Sequence, residues 1–157
     1  MVSTHPNVQK VADALAAAGA TGEIRILDEA VPTAAAAAAE LGCEVGAIAN
    51  SLIFDGDGEP VLILTSGAHR VDTKKLAAEL GIGKLRRATP EFVKQHTGQA
   101  IGGVAPVGHP APVRTLVDTA LEQYDEIWAA GGIAHTVFPT TYKELLHLTN
   151  GTPVVVN

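Results

Sequence analysis

Two nearly continuous apolar segments constrain the fold of this chain more than any other feature. Residues 47–54 (AIANSLIF) and 60–65 (PVLILT) flank the turn sequence DGDG at residues 55–58. An Asp-Gly turn between apolar segments is a strong signal for a β-hairpin. Because almost every side chain in both segments is apolar, we expect the two strands to be buried in the centre of a sheet.

The rest of the chain alternates between helical and extended patterns. Apolar spacing, capping residues and glycine stops locate these elements, and Asn7 is expected to cap the first helix. Helices are predicted near residues 7–18, 34–41, 72–80, 89–96 and 141–148, and further strands near 24–27, 84–88, 113–118, 126–130, 134–138 and 152–156. Since hairpins and crossovers both occur, the pattern predicts a single mixed α/β domain over residues 1–157.

Composition excludes several classes of protein. The net charge of −6 argues against broad, nonspecific binding of nucleic acids, DNA included. The single cysteine, Cys43, excludes an intrachain disulfide and a multi-cysteine zinc site. No apolar run approaches the ~18 residues of a membrane-spanning helix, and the N-terminus has no apolar signal core. We therefore expect a cytoplasmic protein that does not bind a membrane, and the sequence leaves monomer and homodimer open.

Positive charge is concentrated in one segment. Residues 70–94 hold seven of the 11 Lys and Arg residues and three acidic residues, so this segment carries +4 and the remainder −10. One interpretation is a solvated surface; the other is a basic patch that touches a partner at a few phosphates. The second interpretation makes cations of this segment candidates for phosphate contact: Arg70, Lys74, Lys75, Arg86 and Arg87.

The stretch GQAIGGVAPVGHP at residues 98–110 is rich in glycine and proline. Glycine allows positive φ and close approach of a ligand to the backbone, while proline fixes φ and removes an N–H. Such a loop can present backbone N–H groups to an anion or to the oxyanion of a reaction intermediate, with Gly102 and Gly103 as the candidate donors. The alternative interpretation is a turn-rich connection between two strands.

Signals for several other chemistries are missing from the sequence. It contains no G-x-G-x-x-G after a strand, no Walker lysine, no H-E-x-x-H and no G-x-S-x-G. The six histidines are dispersed, and we expect neither a metal nor a cofactor. The polar pair Asn50-Ser51, in contrast, interrupts the first hairpin strand, so it needs either hydrogen-bond partners or a pocket.

Several motifs, taken in order, resemble the YbaK/EbsC family of aminoacyl-tRNA deacylases, which are similar to the editing domain of bacterial prolyl-tRNA synthetases. They are ANSLIF, VLILTSGAHRVD, GQAIGGVAPVGH, LVD at residues 116–118, a strand ending in AAGG, and FPTTYKELLHLT. The resemblance runs from about Ile24 to Thr149 and implies a YbaK-like α/β fold, with a mixed, largely antiparallel sheet or a pseudo-barrel flanked by helices.

The resemblance also implies an activity and a partner. The expected reaction is hydrolysis, by a freestanding protein, of the ester that joins a small mischarged amino acid to the 3′ end of tRNA. The resemblance implies that this hydrolysis uses a positioned water, helped by a ribose hydroxyl of the substrate, and no cofactor. The catalytic candidates are Asn50, Gly102, Gly103 and Val104. The substrate-binding candidates are Ser51, Ala105, Pro106, Gly108, His109, Asp118 and His135. The tRNA-binding candidates are the five cations named above.

One position departs from the family pattern, which usually has a lysine followed by serine or threonine where this chain has Asn50 and Ser51. Asparagine donates a hydrogen bond but brings no positive charge. Three interpretations follow. Asn50 acts as a neutral donor in a deacylase, the cation comes from elsewhere, such as Arg70 or His135, or the chain binds aminoacyl-tRNA or a related small ligand without catalysis.

Overall fold

The structure, a computed structural model, describes residues 5–27 and 33–157. Within these residues, an eight-stranded sheet carries helices on both faces. The helices are α1 (Pro6–Ala17), α2 (Ala34–Leu41), α3 (Thr73–Leu80), α4 (Pro90–Thr97) and α5 (Tyr142–Thr149). The strands are β1 (Arg25–Ile26), β2 (Ile48–Gly56), β3 (Glu59–Ser66), β4 (Leu85–Arg87), β5 (Arg114–Asp118), β6 (Ile127–Ala130), β7 (Thr136–Thr140) and β8 (Thr152–Val154).

The sheet mixes antiparallel and parallel pairs, which confirms the predicted α/β class. Its strand order is β1-β7-β6-β2-β3-β5-β8, and β4 pairs with β2 beside this path. Four pairings are antiparallel and three are parallel. The path ends at β1 and β8 without closing, so the protein adopts the open sheet and not the pseudo-barrel.

The β2–β3 hairpin lies at the centre of the sheet, as its apolar sequence predicts. The strands pair continuously from Ala49↔Ser66 to Gly56↔Glu59. Asp57 (φ 54°) and Gly58 (φ 94°) form the turn, where Asp55 Oδ1 accepts the Gly58 N–H at 2.7 Å. The hairpin therefore supplies a rigid base on which a site can be built.

Helix ends follow the capping residues in the sequence, with one exception at α1. Thr33, Asp72, Thr89 and Thr141 each accept a backbone N–H at the start of a helix. At α1 the cap is His5, whose Nδ1 accepts the Asn7 N–H at 3.1 Å, so the prediction of Asn7 is wrong. Proline is favoured at the first helical position, and Pro6 starts the helix before Asn7 is reached.

Alternate side chains of the hairpin pack into the core on opposite faces of the sheet. Leu62 and Leu64 pack with α1, α4 and α5 on one face, while Val61 and Ile63 pack with α3 on the other. A third cluster joins α2 to Trp128 of β6 and Val137 of β7. Among the described residues, no helix is long and apolar enough to cross a bilayer.

The sheet splits beside β2, and this split positions the site. On one side β2 pairs with β3 from Ala49 to Gly56. On the other side it pairs with β6 only at Ile48 and Ala49, and with β4 only from Phe54 to Gly56. Between them Asn50, Ser51 and Leu52 have no strand partner on that side within the described part of the chain. The polar pair therefore lies at a gap in the sheet.

Candidate functional site

Two adjoining cavities occupy the gap in the sheet, and together they form what we call the cleft. The α2 cavity, of about 100 Å³, lies beneath helix α2 and is lined by Thr33, Ala34, Ala37, Ile48, Trp128, His135 and Val137 among others. The β4 cavity, of about 260 Å³, is lined by Leu52, Arg87, Ala88, Val93 and Ile101 among others. Asn50, Ser51, Gly102 and Val104 line both cavities. These four shared residues form the junction between two compartments.

The hairpin brings polar side chains to this junction that make no hydrogen bond to the described residues. Asn50 is exposed, and its side chain makes no hydrogen bond to any residue in the ranges 5–27 and 33–157. The hydroxyls of Ser51 and Thr65 are buried without a partner in the same ranges, and Thr65 is the register partner of Asn50. Buried hydroxyls ordinarily have hydrogen-bond partners, so this part of the hairpin is suited to a polar ligand or to water.

The loop side of the junction supplies backbone donors, though not the two that the sequence predicts. The N–H of Gly103 donates to Ala100 O at 3.2 Å and is therefore occupied. The N–H groups of Gly102 and Val104 have no acceptor among the described residues, and both residues line the cleft. The prediction of Gly103 as a donor is wrong, because its N–H closes the turn that begins at Ala100. Within the described part of the chain, the next N–H without an acceptor is that of Val104.

Gly103 has a different role, which is close packing. A Cβ at this position would lie 2.3 Å from the backbone carbon of Ile133 and 2.6 Å from the Ala134 nitrogen. No side chain fits in that space, so only glycine lets the loop lie against the connection between β6 and β7. Gly103 thereby fixes the distance between the junction and the wall that carries His135.

Gln99 holds the loop in shape, and the sequence analysis did not single it out. Its side chain is 1% exposed. Gln99 Oε1 accepts the Ala105 N–H at 2.7 Å, and Nε2 donates to Val107 O at 3.2 Å. Both ends of the amide are therefore used to fix the backbone on each side of Pro106. The only signal in the sequence was one amide residue at the start of a glycine-rich loop.

The second half of the loop packs away from the cleft. Ala105 is fully buried, and a Cβ on Gly108 would lie 3.2 Å from a methyl of Val11 in α1. His109 Nε2 donates to Ala105 O at 2.8 Å, and burial lowers the pKa of His109, which favours its neutral form. Pro106, Gly108 and His109 line a separate cavity near α1 and α5. The structure thus does not bring the predicted substrate-binding residues Ala105, Pro106, Gly108 and His109 to the junction.

Asp118 is also placed away from the cleft. It is 1% exposed, and its carboxylate accepts the backbone N–H groups of Ser66 and Ala120, each at 3.0 Å. His69 Nδ1 lies 2.9 Å from the same carboxylate. This carboxylate ties the end of β3 to the end of β5, which is a structural role and not the predicted contact with substrate.

His135, in contrast, does line the α2 cavity. Its backbone has φ 60°, an uncommon conformation for a residue other than glycine. The His135 carbonyl accepts the Leu27 N–H at 2.7 Å, which anchors the turn. Of the predicted substrate-binding residues, Ser51 and His135 are therefore the two that the cleft contains.

The five predicted tRNA-binding cations occupy different places. Arg87 lines the β4 cavity. Its neighbour Arg86 lines a groove of about 610 Å³ between α3 and β4, together with Lys74 and Lys84. Arg70 is exposed between β3 and α3. Lys75 Nζ donates to Val155 O at 3.0 Å and to Asn157 O at 2.9 Å, so this ammonium is engaged with the end of the chain.

A cavity larger than the cleft lies elsewhere and has the opposite charge. We call it the acid-lined cavity; it has a volume of about 700 Å³ and lies between β1 and the start of α5. It is lined by four acidic residues and one cation: Glu23, Asp125, Glu126, Glu144 and Arg25. Within residues 5–27 and 33–157, no group of three or more His, Cys, Asp or Glu side chains is arranged to hold a metal ion.

Comparisons with known proteins show the family of this chain. The family model of the aminoacyl-tRNA editing domain matches residues 28–148. The protein YwhH of Bacillus subtilis (strain 168), itself uncharacterized, is 34% identical over 110 residues, which cover 69% of each chain. The proline–tRNA ligase of Nitratidesulfovibrio vulgaris (strain DP4) is 38% identical over 91 residues, which cover 58% of this chain and 16% of the ligase.

A solved structure matches over nearly the whole length. The crystal structure of a proposed trans-editing enzyme for prolyl tRNA synthetase is 42% identical, with a TM-score of 0.92 and coverage of 99% of both chains. The matched family model covers the hairpin, the glycine-rich loop and the wall of the α2 cavity. The chain therefore belongs to the family of aminoacyl-tRNA editing domains.

Proposed function

We propose that this protein is a freestanding aminoacyl-tRNA deacylase that hydrolyses the ester of a small, wrongly attached amino acid. The observation that carries the proposal is the junction of the cleft. There the N–H groups of Gly102 and Val104, free of protein acceptors among the described residues, lie in the same cleft as the uncommitted polar residues Asn50 and Ser51. Donors fixed in position before the reaction are what a developing oxyanion requires.

The reaction assigned to the junction is attack of water on the ester carbonyl. The water oxygen forms a bond to the carbonyl carbon, and the carbonyl oxygen becomes an oxyanion within reach of the Gly102 and Val104 N–H groups. The bond to the ribose oxygen then breaks, and a proton that originates from the water ends on that oxygen. Asn50 would act as a further neutral donor to the oxyanion, and a ribose hydroxyl would help to position the water.

In this deacylase Arg87 would supply the positive charge of the site, in place of a lysine at position 50. Arg87 lies in the same cavity as Asn50, and the described residues that line the two cavities include no carboxylate. An arginine remains charged at every physiological pH, so it can attract the polyanionic end of a tRNA without help from a second group. Of the two alternative cations in the sequence analysis, His135 lines the cleft and Arg70 does not.

The α2 cavity would hold the amino acid. Its walls are mostly apolar, and Ala34 and Ala37 of α2 add little bulk. A volume of about 100 Å³ suits a side chain of a few heavy atoms. Since the related ligases and the related solved structure concern proline and its tRNA, tRNA specific for proline is the first partner to test.

The experiment is hydrolysis of a panel of mischarged tRNAs by the purified protein. The panel should carry alanine, serine, cysteine and threonine on tRNA for proline, with correctly charged prolyl-tRNA as the control for selectivity. Release of at least one small amino acid, faster than release of the larger ones, is the expected result. Tight binding of the same tRNAs without release of any amino acid would contradict the proposal and favour a noncatalytic binding module.

A further inference from the structure

The α3–β4 groove, the groove of about 610 Å³ between α3 and β4, is a concave surface outside the cleft. The described residues that line it belong to α3, to β4 and to the connection between them at residues 82–84. None of these residues lines either cavity of the cleft. The reaction proposed for the junction therefore leaves this groove without a role.

Part of the groove lining is apolar and well packed. Ala77 and Leu85 are each 6% exposed, and Ile82 packs against the core cluster to which both belong. Ala78, which is exposed on α3, lines the same groove. A concave apolar surface of this kind fits an apolar side chain, because contact removes hydrocarbon from water on both sides.

Three cations share the groove with this apolar surface. Lys74, Lys84 and Arg86 are exposed, and their side chains make no hydrogen bond or ion pair to any residue in the ranges 5–27 and 33–157. No acidic residue is among the described residues that line the groove. The groove therefore offers free ammonium and guanidinium groups to an anion, and a carboxylate is an anion that arginine binds with two parallel hydrogen bonds.

The connection between α3 and β4 is held in place by the turn of the central hairpin. Asp57 Oδ2 accepts the Gly83 N–H at 2.7 Å, and Asp57 Oδ1 accepts the Lys84 N–H at 3.2 Å. This part of the groove is thus fixed before any ligand binds, which lowers the entropic cost of binding.

Strand β4 adds an edge to the groove. It pairs with β2 and, within the described part of the chain, with no second strand. The Ala88 N–H donates to Ile53 O at 3.3 Å, and antiparallel pairing alternates between inward and outward backbone groups. The register therefore directs the N–H and carbonyl of Leu85 away from β2. An edge of this kind is the surface to which an extended peptide adds as a further strand.

We propose that the α3–β4 groove is a docking site for an extended acidic segment of a protein partner, which adds to the free edge of β4. Apolar residues of the segment would contact Ala77 and Leu85, and the acidic residues between them would bind the three cations. An RNA backbone would also meet the cations, but it would gain nothing from the apolar lining or from the strand edge. The inference does not depend on the proposed function.

The test measures binding of three synthetic eight-residue peptides by fluorescence anisotropy. The first alternates valine and glutamate, the second replaces valine by serine, and the third replaces glutamate by lysine. We expect the valine–glutamate peptide to bind about tenfold more tightly than either of the others, since only this peptide matches both the apolar lining and the charge. Equal affinities for all three peptides, or no binding of the first, would overturn the proposal.

A matched pair of double variants tests the charge. Lys74→Gln with Arg86→Gln should weaken the valine–glutamate peptide about tenfold. Arg70→Gln with Lys94→Gln removes the same two kinds of cation from exposed positions outside the groove, and it should change the affinity by less than about twofold. Equal losses in the two double variants would show that the peptide responds to net charge alone and would contradict the groove.

A second matched pair tests the shape of the groove. Ala78→Trp should fill the groove and weaken the peptide at least about tenfold, whereas Ala16→Trp, at an exposed alanine of α1, should leave the affinity unchanged. Thermal unfolding should confirm that all variants are folded. Unchanged binding to a folded Ala78→Trp protein would place the peptide elsewhere.

An RNA hairpin with an acceptor stem and a CCA end provides the competing measurement. If the groove takes a peptide, the two double variants should weaken the hairpin to the same extent, because each removes two positive charges. A groove double variant that weakens the hairpin more than the control does, while peptide binding stays unchanged, would assign the groove to RNA and overturn the proposal.

Discussion

The cleft and the acid-lined cavity make an instructive comparison, because the larger of the two is the weaker candidate. The acid-lined cavity has about 700 Å³, against about 100 and 260 Å³ for the two compartments of the cleft. Its walls carry four carboxylates and one arginine, whereas the described residues that line the cleft include Arg87 and no carboxylate. A ligand with a phosphate backbone is repelled by the first and attracted by the second.

The two regions also differ in whether their polar groups have interaction partners within the described residues. In the acid-lined cavity, Glu144 Oε1 accepts the hydroxyl of Thr140 at 2.7 Å, and the Arg25 guanidinium lies 4.9 Å from the centre of the Trp128 ring. In the cleft, the Ser51 hydroxyl and the N–H groups of Gly102 and Val104 have no partner in the described part of the chain. Uncommitted donors, rather than volume, mark the place where a transition state can be stabilised.

The largest expected effect on activity comes from a matched pair of glycines. One lies beside the cleft and the other beside the acid-lined cavity. A Cβ on Gly103 would lie 2.3 Å from the backbone of Ile133, and a Cβ on Gly22 would lie 2.2 Å from the carbonyl oxygen of Pro139. Both Gly103→Ala and Gly22→Ala should therefore lower the free energy of unfolding by about 1–3 kcal/mol, as overpacking does. Only Gly103→Ala should also reduce deacylation by ~10²-fold or more, because it displaces the donors at Gly102 and Val104.

The measurements are urea unfolding, to obtain the free energy of unfolding, and kcat/KM under conditions where each variant is folded. Equal losses of activity in the two variants would contradict the distinction between the cavities, because activity would then follow stability alone.

Asn50 should give the next largest effect. Asn50→Ala should lower kcat by ~10²-fold if the amide donates to the oxyanion. Because the side chain is exposed and has no partner in the described residues, the free energy of unfolding should change by less than about 0.5 kcal/mol. A stability loss of ~1–3 kcal/mol with unchanged kcat would instead show that Asn50 is structural.

The substitution Asn50→Lys tests the same position from the other direction. In an enzyme adapted to asparagine, with Arg87 as the cation, a second positive charge at the junction should slow hydrolysis or shift its amino-acid preference. The measurement is the tRNA panel repeated with this variant. An unaltered protein that hydrolyses no mischarged tRNA, combined with a lysine variant that does, would show that the chain has lost catalysis through this position.

Much of the fold follows from local signals in the sequence. The DGDG turn, the threonine and aspartate caps and the glycine stops are short-range features, and the helices and strands lie within a few residues of their predicted positions. The central position of the hairpin follows from its apolar composition. The α1 cap differs by two residues, because the preference of Pro6 for the first turn outweighed the preference of Asn7 for the cap.

The site is less predictable, because it depends on which way each part of a loop faces. Gly102 and Gly103 are adjacent and identical in type. The N–H of Gly102 has no acceptor among the described residues, whereas the N–H of Gly103 closes a turn onto Ala100. Arg86 and Arg87 likewise differ only in the face of β4 from which they project. The roles of Gln99 and Asp118 depend on partners brought together by folding, including Ser66 at a separation of 52 residues from Asp118.

Removal of charge from the acid-lined cavity should have a small effect. The double substitution Asp125→Asn and Glu126→Gln should change kcat/KM by less than about twofold at physiological salt, because the fields of exposed charges are screened within about 8 Å. Arg87→Gln, measured beside it, should raise KM for mischarged tRNA about tenfold. A larger effect from the acidic pair than from Arg87 would reverse the ranking of the two regions.

His109 should give the smallest effect, and it appears in stability instead of activity. Burial lowers the pKa of His109 below its ordinary value of 6.5, so the unfolded chain binds a proton more readily than the folded protein. The stability contributed by neutral His109 is therefore complete above pH 6.5 and is lost as the pH falls from there toward the lowered pKa of the folded state. Urea midpoints at pH 7.5 and pH 5.5 should show this decline.

Glutamine does not titrate and can still donate to Ala105 O, so His109→Gln should make the decline shallower. Since His109 lies in the half of the loop that faces α1, kcat/KM at pH 7.5 should stay within about twofold of the unaltered protein. A His109→Gln variant that keeps its stability at both pH values but loses most of its activity would show that the second half of the loop does serve the cleft.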